Sequence, residues 1–101
     1  MAIAKNWSAV SIIGIAGPEL IVKGEANTGL LTVQPELEKR VPQGSNPAIL
    51  QLDLLHASNA KPGHFQPVQY NEKLDRQNKY ELVEIFHRNE VIAKIKVKHD
   101  R

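Results

Sequence analysis

The sequence predicts an all-β fold, an antiparallel β-sandwich of six or seven strands closed by a C-terminal β-hairpin. Three observations carry this. The run Tyr80 to Lys98, YELVEIFHRNEVIAKIKVK, is two β-rich segments around a short polar break, with Val83, Ile85, Val91, Ile92, Ile95 and Val97 β-branched. Ala48 to His56, AILQLDLLH, puts Leu50, Leu52 and Leu54 on one face and Gln51 and Asp53 on the other, the period of a half-buried strand. Turn residues punctuate the chain throughout, and a helix competes only at Pro35 to Pro42, PELEKRVP, where eight residues between two prolines leave little length for one.

Ser8 to Ile15 is a first strand, ended by Gly17-Pro18. Glu19 to Asn27 resumes with Leu20, Val22, Gly24 and Ala26 on one face and Ile21, Lys23 and Glu25 on the other. Thr28-Gly29 signals a turn, and Leu30 to Val33 reads as a short edge segment before Pro35. Leu37 to Val41 is a short strand or irregular crossing, with one helical turn from Pro35 as the alternative. Pro42 to Pro47, PQGSNP, is the clearest loop, and Ala57 to Gly63, ASNAKPG, is a second. Phe65 to Leu74 is a weaker strand with Val68 and Tyr70 on one face. Pro67 cannot donate to a ladder, which places that strand at an edge or a bulge. Asp75 to Lys79 is a polar turn into the hairpin.

Composition bounds the function. At 101 residues the chain fits one domain, spanning 1–101, and its 42% hydrophobic content supplies an aliphatic core. Cysteine is absent, which excludes disulfides, thiolate zinc sites and cysteine nucleophiles within the chain. A formal charge of +2 is too small an excess to point to a nucleic-acid partner. No apolar run approaches the ~20 residues of a membrane helix, and the N-terminus lacks the long apolar core of a signal peptide. A soluble protein is expected, cytoplasmic or exported after loss of a signal peptide.

The succession VKGEANTG (Val22 to Gly29), PELEKRVP and AILQLDLL resembles a set of small uncharacterised bacterial proteins with an immunoglobulin-like β-sandwich. The resemblance implies that fold and brings no catalytic residues. The Cys pair around a buried Trp is missing, and Trp7 lies at the wrong end of the chain for that role.

Candidate chemistry is sparse. Asp53 with His56, or His56 with His64, are the nearest approach to a metal pair. Residues three apart in a strand point to opposite faces, and the two histidines are separated by a loop, so solvated or loop-end histidines are the better reading. His99-Asp100 sits at a frayed strand end without the further ligands that a metal dipeptide needs. Ser45 has a glycine nearby but no nucleophile elbow, and turn chemistry accounts for it. No catalytic, cofactor or metal site is expected.

The charged feature with most promise is Lys94, Lys96 and Lys98, which in one continuous strand would share a face and contact an anionic ligand. The competing account is a solvated stripe that deters edge-to-edge aggregation. Hairpin register decides how much of that charge is free. A three-residue loop, Arg88 to Glu90, sets Glu84 opposite Lys94 and gathers Val83, Ile85, Val91, Ala93, Ile95 and Val97 on the core face, leaving Phe86 and Ile92 to be exposed or covered; a two- or four-residue loop puts Glu81, Val83 and Ile85 with the lysines. The three-residue register is the more apolar choice.

The leading expectation is a non-enzymatic protein-interaction or structural module. It would present the PQGSNP loop (Gln43, Ser45, Asn46), the ASNAKPG loop (Ser58, Asn59, Lys61) and an edge strand to an unidentified protein or cell-envelope component. The alternative is an OB-like barrel binding single-stranded nucleic acid, with the lysine stripe on phosphates and Tyr70, Tyr80 or Phe86 stacking.

Overall fold

The computed structural model describes residues 3–58 and 63–100. Strands β1 (Ala4–Gly14), β2 (Gly17–Asn27), β3 (Glu36–Lys39), β4 (Ile49–Leu55), β5 (Phe65–Lys73), β6 (Leu82–His87), β7 (Glu90–Lys96) and β8 (Lys98–His99) form two four-stranded sheets, ordered β5-β2-β1-β8 and β3-β4-β6-β7. The all-β expectation holds. The ladders are mixed, however: β4 pairs with β6, and β1 with β8, in parallel. Sequence neighbours form the antiparallel pairs β1-β2, β3-β4 and β6-β7, whereas the chain leaves sheet two after β4, lays β5 beside β2, and returns to put β6 next to β4.

The core lies where the inward faces meet. Leu20, Val22 and Ala26 of β2 and Val68 of β5 oppose Leu50, Leu52 and Leu54 of β4 with Val83 and Ile85 of β6, all buried. Period-2 patterning therefore identified the core faces of β2 and β4 correctly. In β1 the ladder slips by one residue between Lys5 and Ser8, with Asn6 at φ 58° as the extra residue. The bulge lets Ala4, Trp7 and Ala9 all pack against the core. Gly24 lies beneath the Trp7 ring, where any Cβ would overlap the indole.

Several boundaries differ from the expectations. The Ser8 strand begins at Ala4. Gly17-Pro18 does not separate β1 from β2: the turn is Ile15-Ala16, and Gly17, at φ 107°, supplies the left-handed residue that the ribbon needs to reverse. Leu30 to Val33 is a turn rather than an edge strand. Gln66, reaching from β5, donates to Thr28 Oγ1 (2.8 Å), Leu30 O (3.2 Å) and Val33 O (2.6 Å), holding that backbone out of any ladder. The segment after Pro35 is strand β3, and β5 with Pro67 is an edge strand.

The terminal hairpin takes the core-apolar register from Ala93 onward by an unforeseen route, but Val91, expected on the core face, is exposed because the bulge sends Ile92 to the core in its place. Its turn has two residues, Arg88 and Asn89, at φ 52° and 66°, with His87 paired to Glu90. A bulge opposite Ile85 and Phe86 then restores the pairing of a three-residue loop, so Glu84 opposes Lys94 and Val83 opposes Ile95. Ile92 is the bulge residue and packs against the core, while the Arg40 guanidinium lies 4.2 Å from the centroid of the Phe86 ring. The second strand stops at Lys96. Val97 is buried with its N–H on Glu81 O, and the chain crosses there to the other sheet, where β8 pairs with Val10 and Ser11.

Candidate interaction site

The sheet change at Val97 dismantles the lysine stripe. Lys94 and Lys96 oppose Glu84 and Leu82 on the outer face of their sheet, and Lys94 Nζ lies 3.9 Å from Glu84. Lys98 opposes Val10, whose pairing with Ile21 puts it on the outer face of the other sheet. His99 is exposed but sets its Nδ1 2.7 Å from the buried Ser11 hydroxyl. The three lysines thus point away from opposite sides of the sandwich and form no common ladder.

The two interaction loops separate as well. One precedes β4 and the other follows it, so seven extended residues, ~3.3 Å each and roughly 23 Å in all, stand between them. Asn59 and Lys61 lie outside the described residues. Ser58 donates its N–H to Asn27 O (2.7 Å), at the end of the molecule where Asn27 Oδ1 also accepts from Gly29 N and His64 N.

The loop at the other end is built by its own amides. Gln43 acts as a side-chain extension of the sheet: its Nε2 donates to Gln51 O (2.8 Å) and Arg40 O (2.7 Å), and its Oε1 accepts from Gln51 N (2.8 Å). Gly44 N donates to Gln51 Oε1 (2.9 Å), and Asn46 Oδ1 accepts from Ala48 N (3.0 Å) to fix the turn into β4. Gln43 and Asn46 therefore shape the loop, while Ser45 is exposed.

Beside this loop runs a groove of about 400 Å³ lined by Lys39, Gln43, Ser45, Asn46, Lys79 and Tyr80 among others, with no carboxylate among the described residues that line it. Behind its wall sits Glu72, which accepts from Tyr70 Oη (2.6 Å) and Tyr80 Oη (2.7 Å) and has Lys39 Nζ at 3.3 Å and Lys79 Nζ at 3.9 Å. Lys39 also donates to Tyr80 Oη (3.3 Å). Burial by itself would raise the Glu72 pKa, but the two hydroxyls and Lys39 outweigh it and hold the carboxyl below its ordinary value. Burial and the bonds to this carboxylate push the Tyr70 and Tyr80 phenols up. For Lys39, burial pulls the pKa down, and Tyr80 with Glu72 more than reverses it. The result is an ionised knot joining β3, β5 and the segment before β6. One carboxylate serves two ammonium groups, so the groove wall keeps a positive excess.

Sequence reasoning passed over Glu72, Lys39 and Lys79. A signal was present: Tyr70 and Glu72 share the face of Val68, and an acid on the core face of a strand requires donors. The partners were not readable, since Lys39 and Tyr80 come from distant elements. His56 is exposed, with Glu36 at 3.7 Å, and no group of three metal-ligating side chains occurs among the described residues.

The fold thus defines an all-β, two-sheet sandwich with a cationic groove at one end. Comparison with protein-family models, curated proteins and solved structures finds no match for the chain. No helix is long and apolar enough to cross a membrane among the described residues.

Proposed function

We propose that this protein is a non-enzymatic interaction module of immunoglobulin-like sandwich type. Its groove beside the 42–47 loop receives an acidic segment of a partner protein or an anionic cell-envelope component. The observation that carries this is the pair Lys39 and Lys79 at the wall of a groove whose described lining contains no acid, with a single carboxylate, Glu72, behind them. Exposed Ser45 adds a hydroxyl donor at the rim. Two facing four-stranded sheets around an aliphatic core support the sandwich kinship.

The nucleic-acid alternative needs free aromatic faces and a cationic track. Tyr80 is buried, Tyr70 is tied to Glu72 and Phe86 lies under Arg40, while the lysines of the stripe are divided between two faces. These placements favour the acidic-partner reading.

Poly-L-glutamate and oligothymidylate distinguish the two. At low salt, poly-L-glutamate is expected to shift the backbone amide signals of Gly44, Ser45 and Lys79, with affinity falling several-fold in Lys79→Ala and on raising salt. Absence of any shift at low salt overturns the groove assignment. Tight oligothymidylate binding lost on replacing Lys94 and Lys96 restores the alternative.

A further inference from the structure

The outer face of the β5-β2-β1 sheet carries a second concavity, built at the β1 bulge. Pairing sets Lys5 opposite Glu25 and Ser8 opposite Lys23, while Pro67 and Gln69 of β5 flank the same two β2 residues from the other side. Asn6, at φ 58°, adds a side chain to this face, while Trp7 turns inward over Gly24. Around Lys23 and Glu25 lies a depression of about 390 Å³, lined also by Asn6, Ser8, Pro67 and Gln69 among others. Its bonding capacity is set by carboxylates, which when ionised only accept. Glu25 Oε1 takes Asn6 Nδ2 (2.7 Å), so Asn6 Oδ1 is left as an acceptor. Glu19 Oε2 takes Asn71 Nδ2 (2.9 Å), so Asn71 turns its Oδ1 to Gln69 Nε2 (2.7 Å), which leaves Gln69 Oε1 as an acceptor. Lys23 has no ion pair or side-chain hydrogen bond among the described residues.

We propose that this depression binds a neutral pyranose unit of a carbohydrate. Donors and acceptors interleave across it: the Lys23 ammonium and the Ser8 hydroxyl donate, while Glu25, Asn6 Oδ1 and Gln69 Oε1 accept. A sugar hydroxyl does both, so adjacent hydroxyls of one ring satisfy the ammonium and the acceptors together. Lys23 and Glu25 are two apart on one strand face, roughly 6 to 7 Å, an interval that two hydrogen bonds of ~2.8 Å on either side of such a hydroxyl pair can span. An anion would meet Glu25, a cation would meet Lys23, and a purely apolar group would cover both without a partner for either. Pro67 supplies a rigid apolar wall for the C–H face of the ring, and the volume lies in the ordinary range of small-ligand sites. The charges just outside are occupied: Lys5 Nζ lies 4.2 Å from the Phe65 ring centroid, and Glu19, opposite Lys73, is held by Asn71. The depression shares no lining residue with the groove at Lys39 and Lys79, so this proposal stands independently of it.

Methyl glycosides of glucose, galactose, mannose and N-acetylglucosamine are the probes, titrated to millimolar concentrations against the backbone amide signals. At least one is expected to shift Ser8, Gly24 and Gln69 saturably while Gly44 and Lys79 stay in place. Lys23→Ala and Gln69→Ala, at exposed positions, are expected to weaken that binding several-fold with an unchanged thermal midpoint. Asn6→Gly keeps the left-handed backbone and removes only the amide, and the same weakening is expected there. No saturable shift by any of the four glycosides, or binding that survives all three replacements, overturns the proposal. If γ-aminobutyrate, whose charged ends match Lys23 and Glu25, shifts these signals and no glycoside does, the depression is a zwitterion site and the proposal is overturned too.

Discussion

The two ends of the sandwich are both tied by side-chain amides, to different effect. At the end holding Asn27 and Gln66 the amides are buried, and their bonds go inward, to Thr28, Leu30, Val33, Gly29 and His64. At the other end Gln43 and Gln51 are half-buried, Gln43 bonding the backbone of Gln51 and Gln51 bonding Gly44 N and Glu84, and they leave an open groove with ammonium groups on its wall. Similar chemistry makes a structural knot in one place and a receptive surface in the other. The difference is bonding capacity left facing solvent.

That contrast is broken most severely at Gln66. Gln66→Leu removes the donor to three acceptors and takes from Val33 O its amide partner, while Leu30 O keeps Thr28 Oγ1 and Val33 N, so a loss on the order of 2 kcal/mol is expected in urea unfolding, read as a lower midpoint at constant m. Gln43→Ala should cost about 1 kcal/mol, because water can reach the freed Gln51 groups. It should also loosen the 42–47 loop, seen as faster amide exchange at Gly44.

The Glu72 knot sharpens the comparison through pH. Its folded pKa is depressed, so its contribution is present above the ordinary carboxylate range and is lost as pH falls through the folded value. Tyr70, Tyr80 and Lys39 have raised pKa values. Their contributions are present below pH ~10 and are lost as pH climbs through the folded values. Thermal midpoints measured against pH should thus form a plateau whose acid-side fall is shallower in Glu72→Gln and whose alkaline fall is shallower in Tyr70→Phe. Identical profiles for wild type and both variants would remove the knot from the stability account. The smallest effect is expected at Lys96, exposed and opposite Leu82, where Lys96→Ala should alter stability by less than about 0.5 kcal/mol in the same urea assay.

How much was legible follows from the range of each interaction. Alternation in Leu20 to Ala26 and Leu50 to Leu54 marked the core faces, and Pro67 marked an edge, because side-chain direction and a missing N–H are properties of the residue and its neighbours. The same period-2 rule failed for Lys98. It holds only while the strand stays in one sheet, and the burial of Val97 carries the chain into the other. Gln43, Ser45 and Asn46 were rightly placed in one loop, but grouping them with Ser58 required knowing that β4 runs the length of the sandwich between them.

The sequence by itself determined the all-β class, the aliphatic core and the strands' inward faces, since these depend on local periodicity and turn chemistry. Only the tertiary structure decided the parallel pairing of β4 with β6, the convergence of Lys39, Lys79 and Tyr80 on Glu72, and the meeting of Asn6 and Gln69 around Lys23 and Glu25. Each of these depends on which distant segment lies beside or opposite a given one, and that is fixed by the joint packing of both sheets rather than by any one stretch of chain.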